Sequence, residues 1–83
     1  MEIRYKPEAI KQLKKIGISD LKKVRRKIDS LYTDPFGGKL LQGKLKGVRS
    51  LRAWPLRIIY TFDSDSKVII IETVDYRGDV YKK

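Results

Sequence analysis

Apolar and charged side chains alternate at the beginning of the chain, and a helical pattern follows. Ile3 and Tyr5 stand between charged neighbours, which predicts a short strand with both side chains facing inward. Pro7 favours a helix start, and apolar residues then recur at helical spacing as far as Ile16. Gly17 is predicted to stop this helix in the left-handed conformation.

A second helix is predicted directly afterwards, with Ser19 as its N-cap. Its apolar positions recur at spacings of three, four and three residues: Leu21, Val24, Ile28 and Leu31. So short a link between two helices predicts an antiparallel helical hairpin. The segment Asp34-Pro35-Phe36-Gly37-Gly38 is predicted to end the second helix, because proline and paired glycines favour a loop.

The rest of the chain has the pattern of β-strands. Residues 39–47 are glycine-punctuated and predicted to be an ordered loop, and strands are predicted at 48–53, 56–63 and 67–74. The last is nearly continuous in β-branched residues, which indicates a central strand buried on both faces. We therefore expect one α+β domain over residues 1–83: an N-terminal strand, a helical hairpin, and a three-stranded antiparallel meander. Its mostly antiparallel sheet would carry helices on one face.

The other face of this sheet is predicted to display two arginines. Side chains alternate between the faces of a strand, so a core-facing Leu56 sends Arg57 to the open face, and Arg52 on the preceding strand joins it. An alternative is that both arginines pair with late carboxylates, namely Glu72, Asp75 or Asp79.

Composition narrows the classes of function. The 83 residues include 20 Lys and Arg against 10 Asp and Glu, giving a net charge of +10 with no histidine or cysteine. Thiol nucleophiles, cysteine-based zinc sites and the usual histidine base are thereby excluded. No apolar run is long enough to cross a membrane, and the charged start does not resemble a signal peptide. We expect a cytoplasmic protein without metal or cofactor.

The charge is concentrated in two segments. Residues 22–27 hold five cations, and residues 35–62 hold six cations and no acid. A field of one sign attracts polyanions such as RNA. Eight residues of these segments are therefore predicted to contact a polyanion such as RNA: Lys22, Lys23, Arg25, Arg26, Lys27, Lys44, Lys46 and Arg49. The alternative is a solvated basic face that only confers solubility.

An ordered set of short motifs resembles the RelE branch of the RelE/ParE toxin superfamily. The set comprises Leu45-Lys46-Gly47, Leu51-Arg52, Leu56-Arg57-Ile58-Ile59-Tyr60 and Tyr76-Arg77-Gly78-Asp79-Val80-Tyr81. The resemblance covers essentially the whole chain. It implies a toxin that enters the ribosomal decoding site and cleaves mRNA, and it implies a RelB-like antitoxin as partner.

The resemblance also implies roles for particular residues. Arg57 matches the arginine that contacts the reacting phosphate, Arg77 the one that stabilises the transition state or protonates the leaving group, and Tyr81 the aromatic that stacks on a base. Arg52 is our further candidate for the catalytic set, from the face argument. Ordinary lysine and arginine hold their protons at neutral pH, so this inventory favours charge stabilisation of 2′-hydroxyl attack without a metal. Ser50 stands where relatives often carry a basic residue, so no general base is assigned.

Two other functions share this fold and stay open at the level of sequence. One is a ParE-like inhibitor of DNA gyrase that cuts no nucleic acid. The other is a non-catalytic homologue that only binds nucleic acid. The Arg77 segment and the basic end of the chain favour the nuclease.

Overall fold

The computed structural model describes residues 1–40 and 47–76, which form two helices and five strands. The strands are β1 (Glu2–Tyr5), β2 (Lys39–Leu40), β3 (Val48–Ala53), β4 (Leu56–Asp63) and β5 (Val68–Tyr76), and the helices are α1 (Pro7–Lys14) and α2 (Ile18–Ser30). The predicted α+β fold is confirmed, with the strand–helix–helix–meander order that the pattern indicated.

All five strands form one open sheet in the order β1-β5-β4-β3-β2. The β3–β4 and β4–β5 pairs are antiparallel, and β1 runs parallel to β5. Two parallel neighbouring strands must be joined by a long connection. Here the connection from β1 to β5 contains both helices and the strands β2, β3 and β4. β5 is an interior strand beside the edge strand β1, whereas the central position belongs to β4. The prediction that β5 is buried on both faces was wrong in part, because Val68 and Ile70, which face away from the helices, are only half-buried.

The core lies between the helices and one face of the sheet. Ala9 of α1 and Val24 and Ile28 of α2 belong to the same buried cluster as Ile58 and Ile71 of the central strands. α1 packs against β5, and α2 packs against β3 and β4. Neither described helix packs on the opposite face of the sheet.

The junction between the helices differs from the prediction. Gly17 is not left-handed: its φ of −64° and ψ of 157° make it the N-cap of α2, and α1 already ends at Lys14. Leu21 donates its N–H to the Gly17 carbonyl at 2.8 Å, so the first helical hydrogen bond forms before Ser19. The prediction of Ser19 as N-cap was therefore wrong, since Ser19 lies inside the first turn.

The segment predicted as a loop over 39–47 begins with a strand. Lys39 pairs with Ser50 and Leu40 with Arg49, which makes β2 a two-residue edge strand beside β3. Two residues are too few for a periodic pattern, so no sequence signal marks this strand.

Candidate nucleic-acid interface

Arg52 and Arg57 lie directly opposite each other in the β3–β4 register. The turn between these strands consists of Trp54–Pro55, joined by a cis peptide bond, and it leaves Ala53 paired with Leu56. Directly opposed residues point to the same face, and Ala53 and Leu56 are buried in the core. The two arginines therefore project on the open face, as the sequence predicted.

The arginines belong to a cleft of about 550 Å³ at the border of the sheet. We call it the basic cleft. Its described lining contains four cations, Lys27, Lys39, Arg52 and Arg57, and no carboxylate. The other lining residues are Gly37, Ser50 and Leu51. Four separate elements supply the cations, because Lys27 comes from α2 and Lys39 from β2, in addition to the arginines on β3 and β4. A concave site with several converging cations is suited to bind phosphate groups.

The carboxylates proposed as partners of the arginines make other contacts. Glu72 forms an ion pair with Lys6, whose Nζ lies 2.7 Å from Glu72 Oε1. Asp75 is in register with Arg57, but its Oδ2 accepts a hydrogen bond from Gln12 Nε2 at 3.4 Å. Neither carboxylate lines the basic cleft. Asp79 lies outside the described residues.

One wall of the basic cleft is held by the buried hydroxyl of Tyr60. This Oη donates to the Pro35 carbonyl at 2.8 Å and accepts from the Gly38 N–H at 2.9 Å. Burial raises the pKa of the Tyr60 hydroxyl above its ordinary value, although the hydrogen bond from Gly38 opposes this effect. The segment from Pro35 to Gly38 is therefore fixed to the sheet immediately before Lys39.

Arg49 holds the same segment from the neighbouring strand. Its Nη1 donates to the Gly38 carbonyl at 3.0 Å and to the Phe36 carbonyl at 3.4 Å. Its guanidinium carbon also lies 4.8 Å from the centre of the Phe36 ring, which packs edge-on against Phe62 at 5.1 Å. Arg49 is opposite Tyr60 in the register, so it lies on the other face of the sheet from Arg52. The residue predicted as an RNA contact thus directs its guanidinium to the protein backbone.

The cations predicted on the second helix do not form one site. Lys27 reaches the basic cleft, whereas Lys22 and Arg25 border a separate, largely apolar groove beside β1. Lys23 lies 3.9 Å from the Asp20 carboxylate one turn earlier, and Arg26 is exposed. This helix therefore presents a broad basic surface next to the cleft.

Four predicted site residues lie outside the described residues: Lys44, Lys46, Arg77 and Tyr81. In contrast, Lys39 lines the cleft and was not among the predicted site residues. It belongs to the acid-free stretch over 35–62, and this charge pattern was the signal that pointed toward it. Its place beside Arg52 depends on the two-residue strand β2, which the pattern did not reveal.

The described ranges, 1–40 and 47–76, contain neither a cluster of metal-ligating side chains nor a membrane-spanning helix. No group of three or more acidic side chains there is arranged to hold a metal ion. Neither described helix has the length and apolar character needed to span a membrane.

The described residues thus form a basic α+β domain with one open sheet face and a cation-lined cleft. The model of the ParE toxin family of type II toxin–antitoxin systems matches residues 3–81. The chain therefore belongs to this family, within the RelE/ParE superfamily, and is a toxin of a type II toxin–antitoxin system.

Individual relatives agree with this assignment. Toxin RelG of Mycobacterium tuberculosis is 35% identical over 46 residues, so the match spans about half the length of either protein, 55% of this chain and 53% of the relative. The toxin–antitoxin complex RelBE2 from the same organism contains a chain with a TM-score of 0.83 at 28% identity, covering 92% of this chain and 96% of that one. The archaeal RelE–RelB complex of Pyrococcus horikoshii has a similar fold, with a TM-score of 0.79 at 22% identity over 94% and 96% of the two chains.

Proposed function

We propose that this toxin is a ribosome-dependent endoribonuclease that cleaves mRNA in the decoding site and thereby inhibits translation. The observation that carries the proposal is the basic cleft, where Arg52 and Arg57 meet from adjacent strands beside Lys27 and Lys39. The same cleft is suited to the phosphodiester backbone of RNA, because arginine forks match phosphate oxygens. The resemblance to the RelE branch supplies the reaction.

In the proposed reaction the RNA provides its own nucleophile. The 2′-hydroxyl gives up its proton to water as its oxygen forms a bond to the adjacent phosphorus. The bond from phosphorus to the 5′-oxygen breaks, and the departing oxygen takes up a proton. Arg57 binds the reacting phosphate and stabilises the negative charge that develops on it. Arg52 binds the same phosphate or its neighbour. Arg77 assists the leaving group and Tyr81 stacks on a base, as the family resemblance implies.

This mechanism requires a partner that holds the RNA in line. The described cleft is open at the surface and supplies cations for charge stabilisation, whereas in-line geometry has to come from elsewhere. The ribosome provides that geometry by fixing the mRNA in its decoding site. The proposal therefore includes ribosomal RNA and mRNA as partners and the cytoplasm as the place of action. A RelB-like antitoxin is the proposed inhibitor, since the RelBE2 and RelE–RelB structures are complexes of this kind.

Cleavage on translating ribosomes tests the proposal. In a purified translation system, mapping of mRNA 5′ ends is expected to give cuts in phase with codons. Arg57→Ala is expected to lower the cleavage rate about a hundredfold or more. Removing one preorganised hydrogen-bond donor to an anion that develops in the transition state has an effect of this size in other enzymes. Arg4→Ala is the matched control: it removes the same charge from an exposed arginine that pairs with Glu2 at 2.6 Å, away from the cleft. Intact messages with the wild-type chain, or full activity of Arg57→Ala, would contradict the proposal.

A second candidate is inhibition of DNA gyrase, which the resemblance to the RelE/ParE superfamily leaves open; the ParE toxin family is the one that matches residues 3–81. In this case messages stay intact, the supercoiling activity of purified gyrase falls, and induced cells show DNA-damage signalling. A chain that binds RNA but gives neither result is a non-catalytic nucleic-acid-binding homologue. The two assays together separate all three functions.

A further inference from the structure

We propose that Arg49 and Tyr60 act as positioning residues that set the place of Lys39 in the basic cleft. We call this pair the Arg49–Tyr60 clamp. The inference rests on the proposed function, because it concerns how the cleft binds RNA. It assigns a role in substrate binding to two side chains that lie on the far face of the sheet from Arg52 and Arg57.

The clamp holds both polar backbone atoms of Gly38. Tyr60 Oη accepts from the Gly38 N–H at 2.9 Å, and Arg49 Nη1 donates to the Gly38 carbonyl at 3.0 Å. The same two side chains also bond the carbonyls of Pro35 and Phe36, at 2.8 Å and 3.4 Å. Four hydrogen bonds from two opposed strand residues thus fix the peptide that leads into Lys39.

Lys39 depends on this support more than the arginines do. Its strand has two residues, and so short an edge strand has little stability of its own. Arg52 and Arg57 lie on strands of six and eight residues with a full antiparallel register. Loosening the clamp should therefore displace the ammonium group of Lys39 and leave the two guanidinium groups in place.

The hydroxyl of Tyr60 is separable from its ring. The ring is fully buried in the core and packs against Gly38, where phenylalanine fills the same volume. Among the described residues, the hydroxyl bonds to the Pro35 carbonyl and the Gly38 N–H. Tyr60→Phe therefore removes half of the clamp and keeps the packing. Arg49→Lys removes the planar guanidinium whose Nη1 donates to both carbonyls, and it keeps the charge.

A double-mutant cycle on RNA affinity tests the inference. The full-length chain is titrated with a short single-stranded RNA, under conditions where every variant is folded by circular dichroism. Lys39→Ala is expected to weaken binding about tenfold in the wild-type background and about twofold to threefold with Tyr60→Phe. Arg52→Ala is the matched control and is expected to weaken binding by one and the same factor in both backgrounds. If Tyr60→Phe fails to fold, the same cycle is run with Arg49→Lys.

The outcomes distinguish the clamp from the proposed function. Coupling of the clamp variant to Lys39 but not to Arg52 supports the clamp. An effect of Lys39→Ala that is equal in both backgrounds overturns it and leaves the basic cleft as an RNA site. Equal coupling to both cleft residues also overturns it, because that result indicates a general loosening of the fold. If neither Lys39→Ala nor Arg52→Ala weakens binding, the cleft is not the RNA site and the proposed function fails as well.

Discussion

At the scale of single residues, the approach of Gly38 to Tyr60 shows how a small contact shapes the basic cleft. A Cβ atom at position 38 would lie 2.7 Å from Tyr60 Cε1 and 3.0 Å from the Ser50 carbonyl oxygen. Such distances are shorter than van der Waals contact, and two of the neighbouring groups belong to a buried ring and a strand backbone. Glycine is therefore required here for lack of space. It is not required for backbone conformation, since the φ of Gly38 is not left-handed.

Gly38→Ala is expected to destabilise the fold by about 1–3 kcal/mol, as overpacking of a buried site does. Urea denaturation measures the change. Gly17→Ala is the size-matched control, since a Cβ there meets no atom within 4 Å. The reduced entropy of its unfolded chain and its poorer N-cap oppose each other, so a change below about 0.5 kcal/mol is expected. Equal losses for the two variants would show that the contact at Gly38 is not tight.

Tyr60→Phe is expected to cost about 1–3 kcal/mol at pH 8, because the buried Gly38 N–H and Pro35 carbonyl lose their partner. The raised pKa of Tyr60 also predicts a pH dependence. The native state holds this proton more tightly than the unfolded chain, whose tyrosine pKa is about 10. Its stabilising contribution is complete below pH 10 and is lost as the pH rises through the native pKa.

The measurement is the urea midpoint between pH 8 and pH 11. The gap between wild type and Tyr60→Phe is expected to narrow with rising pH. Tyr5→Phe serves as a comparison, because burial also raises the pKa of this half-exposed tyrosine, which makes none of the loop contacts. If the difference in urea midpoint between wild type and Tyr60→Phe stays constant to pH 11, the loss of stability at high pH does not come from ionisation of Tyr60.

At the scale of elements, the sequence predicted the strands and helices that carry a periodic pattern. β3 and β4 have the predicted bounds, and their alternation placed Arg52 and Arg57 on one face. β2 could not be predicted, because two residues show no period and its pairing comes from a distant strand. The N-cap of α2 was misplaced because the backbone at Gly17 satisfies the first turn without a side chain. The direction of Arg49 was also unpredictable, since it depends on where the Pro35–Gly38 segment packs.

The contact between α1 and β5 illustrates another feature that no local pattern reveals. β1 pairs with β5 only as far as Tyr5 and Ile71, so the next part of the β5 edge has no strand beside it. Gln12 of α1 covers this edge: its Oε1 accepts the Val74 N–H at 2.7 Å, and its Nε2 donates to Asp75 at 3.4 Å. One amide side chain thus takes the place of a missing strand partner.

Gln12→Ala is expected to destabilise the protein by about 1–2 kcal/mol, since it leaves the backbone N–H of Val74 without its acceptor. Hydrogen exchange at Val74 is expected to accelerate more than at Ile58 on the paired strand. Lys11→Ala on the exposed side of the same helix is the control, with an expected change below about 0.5 kcal/mol. Unchanged exchange at Val74 would indicate that Gln12 does not protect the edge.

At the scale of the whole molecule, the net charge of +10 divides into two surfaces with different expected roles. The basic cleft joins cations from four elements in a concave site. The α2 surface spreads its cations along an exposed helix, where charges act at long range and are screened by salt. Charges of the second kind change the association rate, whereas charges in contact with the ligand change the dissociation rate.

Two double variants that each remove two positive charges separate these roles. Lys22→Ala/Arg26→Ala on α2 is expected to slow association with single-stranded RNA several-fold at low salt and to leave dissociation unchanged. Lys39→Ala/Arg52→Ala in the cleft is expected to speed dissociation and to lower the salt dependence of affinity by about one ion per lost phosphate contact. Stopped-flow kinetics between 50 mM and 1 M salt measures both rates. Near 1 M salt the Debye length is about 3 Å, so the α2 variant should then match the wild type. Faster dissociation of the α2 variant at every salt concentration would instead make this helix a direct part of the RNA contact.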